Sequence, residues 1–195
     1  MKKFLKKTIW ISLTCFYIFQ IEIVRAIVPY YYFPTKKNLQ KESLSLSKNA
    51  YQLLYFGQYK DSLSLAKLAV KINQNNEKLW LILSETQIAN KLYKNALHSL
   101  SKAQKINPNI SEIYFAKSNV YLQISQQKNA KAALKEGLKI EPNNYKAIFQ
   151  LGNILIMEKN YFGAIKLFDK SLEIKPDFWQ AINNKGLAYF EENNL

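Results

Sequence analysis

Asn107-Pro108-Asn109, Glu141-Pro142-Asn143-Asn144 and Lys175-Pro176-Asp177 lie 34 residues apart, proline to proline. Gln74, set among Asn73, Asn75 and Asn76, holds the same place one period earlier. A fixed period of this size marks a chain made of stacked copies of one supersecondary unit. Proline cannot continue a helix and asparagine suits a turn, so each site ends one helix before the next begins.

Counting each copy from 1 to 34 with proline at 32 gives four repeats: 43–76, 77–110, 111–144 and 145–178. Position 8 is small in all of them (Ala50, Ser84, Ser118, Gly152), and so is position 20 (Ser62, Ala96, Ala130, Ala164). Position 27 reads Ala69, Ala103, Gly137, Ser171. Position 4 reads Leu46, Trp80, Tyr114, Ile148, and position 24 reads Ala66, Leu100, Leu134, Phe168. Small residues let two helices approach closely, and the apolar residues at 4 and 24 fill the space beside that contact. Position 30 is isoleucine throughout: Ile72, Ile106, Ile140, Ile174. The tight turn within each pair falls at positions 14 to 17, as in Phe56-Gly57-Gln58-Tyr59 and Glu158-Lys159-Asn160-Tyr161.

These positions together resemble the tetratricopeptide repeat (TPR) family, from Ser43 onward. The resemblance implies an all-α, right-handed superhelical solenoid of antiparallel helix pairs, and a protein-binding scaffold without catalysis. The departures are Asn49 and Lys117 at the usually apolar position 7, and Gln127 at the usually aromatic position 17. They predict that the first repeat is a cap and that the third packs less tightly at its turn. Residues 179–195 begin a fifth copy, with Trp179, Gly186 and Tyr189 at positions 1, 8 and 11. They read either as a capping helix or as the first helix of a truncated fifth repeat.

Residues 1–26 have the three parts of a secretory signal: Lys2, Lys3, Lys6 and Lys7, an apolar run from Ile9 to Ile21, and Val24-Arg25-Ala26. Cleavage is expected after Ala26. Glu22 leaves the uncharged run shorter than the roughly 20 residues of a membrane span, so an uncleaved anchor is the second reading. Ser12-Leu13-Thr14 before Cys15 is a poor lipoprotein site. Cys15 is the only cysteine, so the mature chain forms no disulfide. Residues 27–42 comprise an arm, Pro29-Tyr30-Tyr31-Tyr32-Phe33-Pro34, and a lead-in to the first helix. The prolines keep the arm extended, and its aromatic cluster is expected to cover the first repeat.

The chain carries 28 basic and 14 acidic residues, a net charge of +14. Loss of residues 1–26 would leave 23 basic and 13 acidic residues. Arg25 is the only arginine and lies in the signal, so no guanidinium fork serves nucleic acid; the lysines read as a solvated surface. His98 is the only histidine, the aspartates (Asp61, Asp169, Asp177) are scattered, and the glycines stand singly. Neither a metal site, a phosphate loop nor a catalytic constellation emerges, so no cofactor and no small-molecule substrate is expected.

By the family resemblance, positions 2, 5, 9, 12 and 13 of the first helices line a concave groove. Leu81, Phe115 and Phe149 at position 5, and Leu54, Ile88, Leu122 and Ile156 at position 12, make two apolar rows. Asn119 and Asn153 at position 9 lie between them, placed to hydrogen-bond an extended peptide; an amphipathic helix is the other fit. Replacing Phe115 and Phe149 with lysine is expected to abolish capture without unfolding. Position 5 excludes the two-lysine clamp that takes acidic tails. A narrower resemblance, to exported TPR proteins of cyanobacteria and plastids, rests on the run from Ile9 to Ile21 and the Lys/Asn/Ile-rich composition. It implies a protein of the periplasm or thylakoid lumen, or one anchored in the membrane, that aids assembly of a photosynthetic membrane complex. The alternative is a structural or membrane-surface tether acting by self-association and lysine charge.

Overall fold

The computed structural model describes residues 35–193. The signal, its cleavage site at Ala26 and the aromatic arm at 29–34 lie outside the described residues. The chain divides into two units between Leu39 and Gln40, and the packing described here is that of the second. Among the described residues there are nine helices and no strand: α1 (Lys36–Tyr55), α2 (Tyr59–Ile72), α3 (Glu77–Ala89), α4 (Tyr93–Ile106), α5 (Ser111–Gln123), α6 (Gln127–Ile140), α7 (Tyr145–Met157), α8 (Tyr161–Ile174) and α9 (Trp179–Glu192). The fold is an all-α solenoid in which successive helices pair and the pairs stack.

The first helix starts at Lys36, inside the stretch expected to lead into it. Thr35 explains this: its hydroxyl oxygen accepts from the Asn38 N–H at 3.2 Å, satisfying a donor that would otherwise be orphaned at the helix start. Asn76 and Asn144 cap α3 and α7 in the same way, accepting from the Lys78 and Ala147 N–H groups at 2.9 Å.

The small residues lie where two backbones meet. Ala50, Ser62, Ala96 and Ala164 are fully buried, and the Ser62 hydroxyl donates to the Ala50 carbonyl at 2.7 Å, from position 20 to position 8. A side-chain carbon added at Gly152 would come within 2.6 Å of the Phe168 ring. Leu100, Leu134 and Phe168 at position 24 are wholly buried, each contributing roughly 1.5–3 kcal/mol by leaving water. The isoleucines at position 30 sit at the rim; Ile106, Ile140 and Ile174 remain 38–39% exposed.

All four turns within pairs close identically. At each, the N–H of position 16 donates to the carbonyl of position 11, and that of position 15 to position 12: Gln58 to Leu53 and Gly57 to Leu54, then Leu92 to Gln87 and Lys91 to Ile88, and so on. This is the Schellman closure, which places position 15 in the left-handed region. Gly57, Lys91, Ser125 and Lys159 have φ of 74°, 58°, 60° and 58°. The third turn was expected to be looser because of Gln127. Instead it has the same two bonds, Gln126 to Tyr121 at 2.8 Å and Ser125 to Leu122 at 3.0 Å. Backbone bonds hold the turn, so the missing aromatic ring does not open it.

Lys117, the other departure in that repeat, is half-buried, and its burial lowers its pKa. Its ammonium donates to Gln104 Oε1, Gln104 Nε2 donates to the Tyr114 hydroxyl, and that hydroxyl donates to the Pro108 carbonyl. A polar chain thus replaces the apolar contact that Leu83 and Leu151 make at the same position. Among the described residues, one buried side-chain polar atom lacks a partner: Ser118 Oγ, at the tight position 8.

Candidate functional site

The first helices α3, α5 and α7 carry the residues expected to bind a partner. Leu81, Ile88, Phe115, Leu122, Phe149 and Ile156 are all half-buried, each packed against a core cluster. Phe115 lies on the backbone of Gly137, so that any side chain there would strike its ring. Phe149 sits between Phe168 and Phe178, with ring centroids 5.6 and 5.0 Å away. These two rings therefore hold helices together. Lysine at either position would remove core packing, so the double lysine substitution does not leave the fold untouched as expected.

Leu54 is half-buried at the end of α1. Asn119 is exposed on α5. Asn153 is half-buried, and its side-chain oxygen accepts from Asn184 Nδ2 at 2.7 Å, which ties α7 to α9. Of the two asparagines, Asn119 alone stands exposed to a peptide.

A cleft on this face to which three first helices contribute has a volume of about 470 Å³. Tyr51 of α1, Lys78, Leu81, Ile82 and Glu85 of α3, Ile110 before α5, and Glu112 and Ala116 of α5 line it. Leu81 stands there from the two expected apolar rows, with Lys78 and Glu112 at the expected position 2 and Tyr51 and Glu85 at the expected position 9. Position 6 (Ile82 and Ala116), which lies outside the expected positions 2, 5, 9, 12 and 13, adds apolar lining beside position 2. Its signal was spacing: positions 2, 6 and 9 follow one another along one helix face.

The cleft has apolar walls and charged groups at its edge. Tyr51 is 55% exposed, and Glu85 is also open to solvent. The walls nevertheless strip enough water from the Glu85 carboxyl to raise its pKa. Glu112 accepts from the Ser111 hydroxyl at 3.2 Å, and that hydroxyl also meets Glu141 at 2.8 Å.

The other hollows are shallower in chemistry. His98 is exposed and borders one with Trp80, Leu83, Gln87, Lys94, Asn95 and Ser99. No group of three His, Cys, Asp or Glu is placed to hold a metal among the described residues. No helix among them is long and apolar enough to cross a membrane.

Charge divides by helix. The second helices α2, α4 and α6 carry ten lysines against two acids, whereas α3, α5 and α7 carry three lysines against three acids. All but Lys131 of those ten lysines are exposed.

Family models described as tetratricopeptide repeat match residues 111–144 and 145–178. Among solved structures, that of the MamA protein is similar at a TM-score of 0.69 and 22% identity, covering 78% of this chain and 84% of that one. YrrB, described as a TPR protein with an unusual peptide-binding site, is similar at 0.62 and 20% identity, covering 76% and 77%. The first TPR of Spaghetti (RPAP3), solved with the HSP90 peptide SRMEEVD, is similar at 0.57 and 18% identity, covering 59% and 91%. At these identities the likeness is one of fold. No curated protein matches the chain significantly.

Proposed function

We propose that this chain, whose residues 111–144 and 145–178 match tetratricopeptide repeat models, is a non-catalytic scaffold holding a peptide or helix of another protein against its first helices. The observation that carries this reading is the cleft of about 470 Å³ between α1, α3 and α5. It is concave, mostly apolar and edged by a few polar groups, the usual make-up of a recognition site. Structural relatives point the same way: YrrB is described as having a peptide-binding site, and the RPAP3 repeat was solved with a peptide bound. Protein binding is the general role of such repeats.

Export belongs to the same proposal and rests on residues 1–26, with their lysines, apolar run and Ala26. The client is then a subunit of a membrane complex. A photosynthetic setting has its support in that segment joined to the Lys/Asn/Ile-rich composition.

One observation favours a second reading, a surface tether: none of the ten lysines of α2, α4 and α6 lines the cleft, and all but Lys131 are exposed. Such a surface would meet anionic headgroups or acidic proteins, and salt would weaken it, since the screening length is about 8 Å at physiological ionic strength. A photo-crosslinking phenylalanine derivative placed at Tyr51, in the cleft, or at Lys102, on α4, separates the two in cells of the source organism. A defined adduct from position 51 and none from 102 is expected. Adducts from 102 alone, lost at high salt, would replace the scaffold reading with the tether.

A further inference from the structure

The cleft's chemistry narrows its occupant. On a chain of net charge +14, the cleft is lined by two glutamates and one lysine. Glu85 has no hydrogen bond and no ion pair among the described residues. Beside it stand the apolar walls Leu81, Ile82 and Ile110, and the exposed ring of Tyr51.

We propose that this cleft receives a lysine or arginine side chain set between apolar residues of the bound peptide. The inference rests on the groove reading above and names the residue that the groove selects. A long basic side chain is apolar along its stem and charged at its tip, which matches the order of groups in the cleft. The stem lies against Leu81, Ile82 and Ile110. The tip meets the Glu85 carboxylate in a charge-assisted hydrogen bond, the Tyr51 ring adds a cation–π contact, and Glu112 adds negative charge to the cleft. Burial already disfavours a bare carboxylate at Glu85, and an incoming cation relieves that cost. The protein's overall field works the other way, drawing acidic peptides in general. A preference for a cation is therefore a property of this cleft and not of net charge.

The test uses the full chain and fluorescein-labelled Gly-Leu-Lys-Leu-Gly, with norleucine or glutamate in place of the lysine in two control peptides. Binding is read by fluorescence anisotropy at physiological salt. The lysine peptide is expected to bind about tenfold tighter than the norleucine peptide, and the glutamate peptide weakest. In Glu85→Gln the lysine advantage should shrink to about twofold or less while norleucine binding stays put; Glu112→Gln should shift it in the same direction. Glu136→Gln, exposed on α6, should change nothing. If norleucine binds as well as lysine to the unaltered protein, cation selection is wrong and the groove reading stands. If all three peptides fail to bind, both are wrong. A lysine advantage that survives both cleft variants removes the site from this cleft.

Discussion

At the scale of single residues, Lys117 shows how a departure from the repeat pattern is absorbed. Position 7 is a buried leucine in the repeats on either side, Leu83 and Leu151. Lysine there is half-buried, and its neighbours Gln104 and Tyr114 supply a polar chain. Burial still lowers its pKa. The folded state therefore binds fewer protons than the unfolded state between that lowered value and the ordinary one, and stability rises with pH across this window. Lys117→Met should accordingly be more stable than the parent at pH 7. Its advantage should shrink as the pH approaches 10, as read by urea unfolding at several pH values; an advantage that stays constant would show that Lys117 pays no burial penalty. That Lys117 was unusual could be read from the repeat. That Gln104 would answer it could not, because the two meet only when α4 and α5 pack.

At the scale of elements, position 8 holds a glycine twice with opposite meaning. In α7, Gly152 has the Phe168 ring against it, and an added carbon would come within 2.6 Å of the ring. In α9, Gly186 has nothing within 4 Å. Gly152→Ala should cost about 1–3 kcal/mol by overpacking a ring that is completely buried. Gly186→Ala should gain about 0.5–1 kcal/mol, since alanine loses less backbone freedom in a helix interior. Thermal melts of the two variants check this, and equal signs would mean that α9 is covered as α7 is. The repeat register identified both glycines as equivalent. Whether a second helix stands opposite is a fact of packing. The turns teach a related lesson: the register located them, but only the backbone showed that Lys91, Ser125 and Lys159 adopt the left-handed geometry taken by Gly57.

At the scale of the molecule, stacking makes stability local, because each pair touches mainly its neighbours. The first pair is the weakest built. Its position 24 is Ala66 in place of Leu100, Leu134 or Phe168, and Tyr55 and Phe56 at its turn are 84% and 73% exposed. Amide hydrogen exchange should therefore be faster in α1 and α2 than in α5 to α8, in a gradient along the stack. Uniform exchange across all helices would show that the stack opens as one unit. The lysine surplus on α2, α4 and α6 also belongs to this scale, since the sequence spreads those lysines along its length and the alternation of helices gathers them.

A 34-residue period with small residues at 8, 20 and 27 determined by itself that the chain is an all-α stack of helix pairs. Steric fit between two helices is local, short in range and repeated, so it leaves a periodic trace. The candidate site left a fainter one. Phe115 and Phe149 look like groove anchors by position, yet they pack inside because Gly137 and the ring of Phe168 lie where their side chains reach. The cleft is built from α1, α3 and α5 through Tyr51 and Glu85, one period apart at position 9, and Glu112 at position 2 of the next repeat. Which of these remain open to a partner depends on how neighbouring repeats cover one another's side chains, and only the tertiary structure decides that.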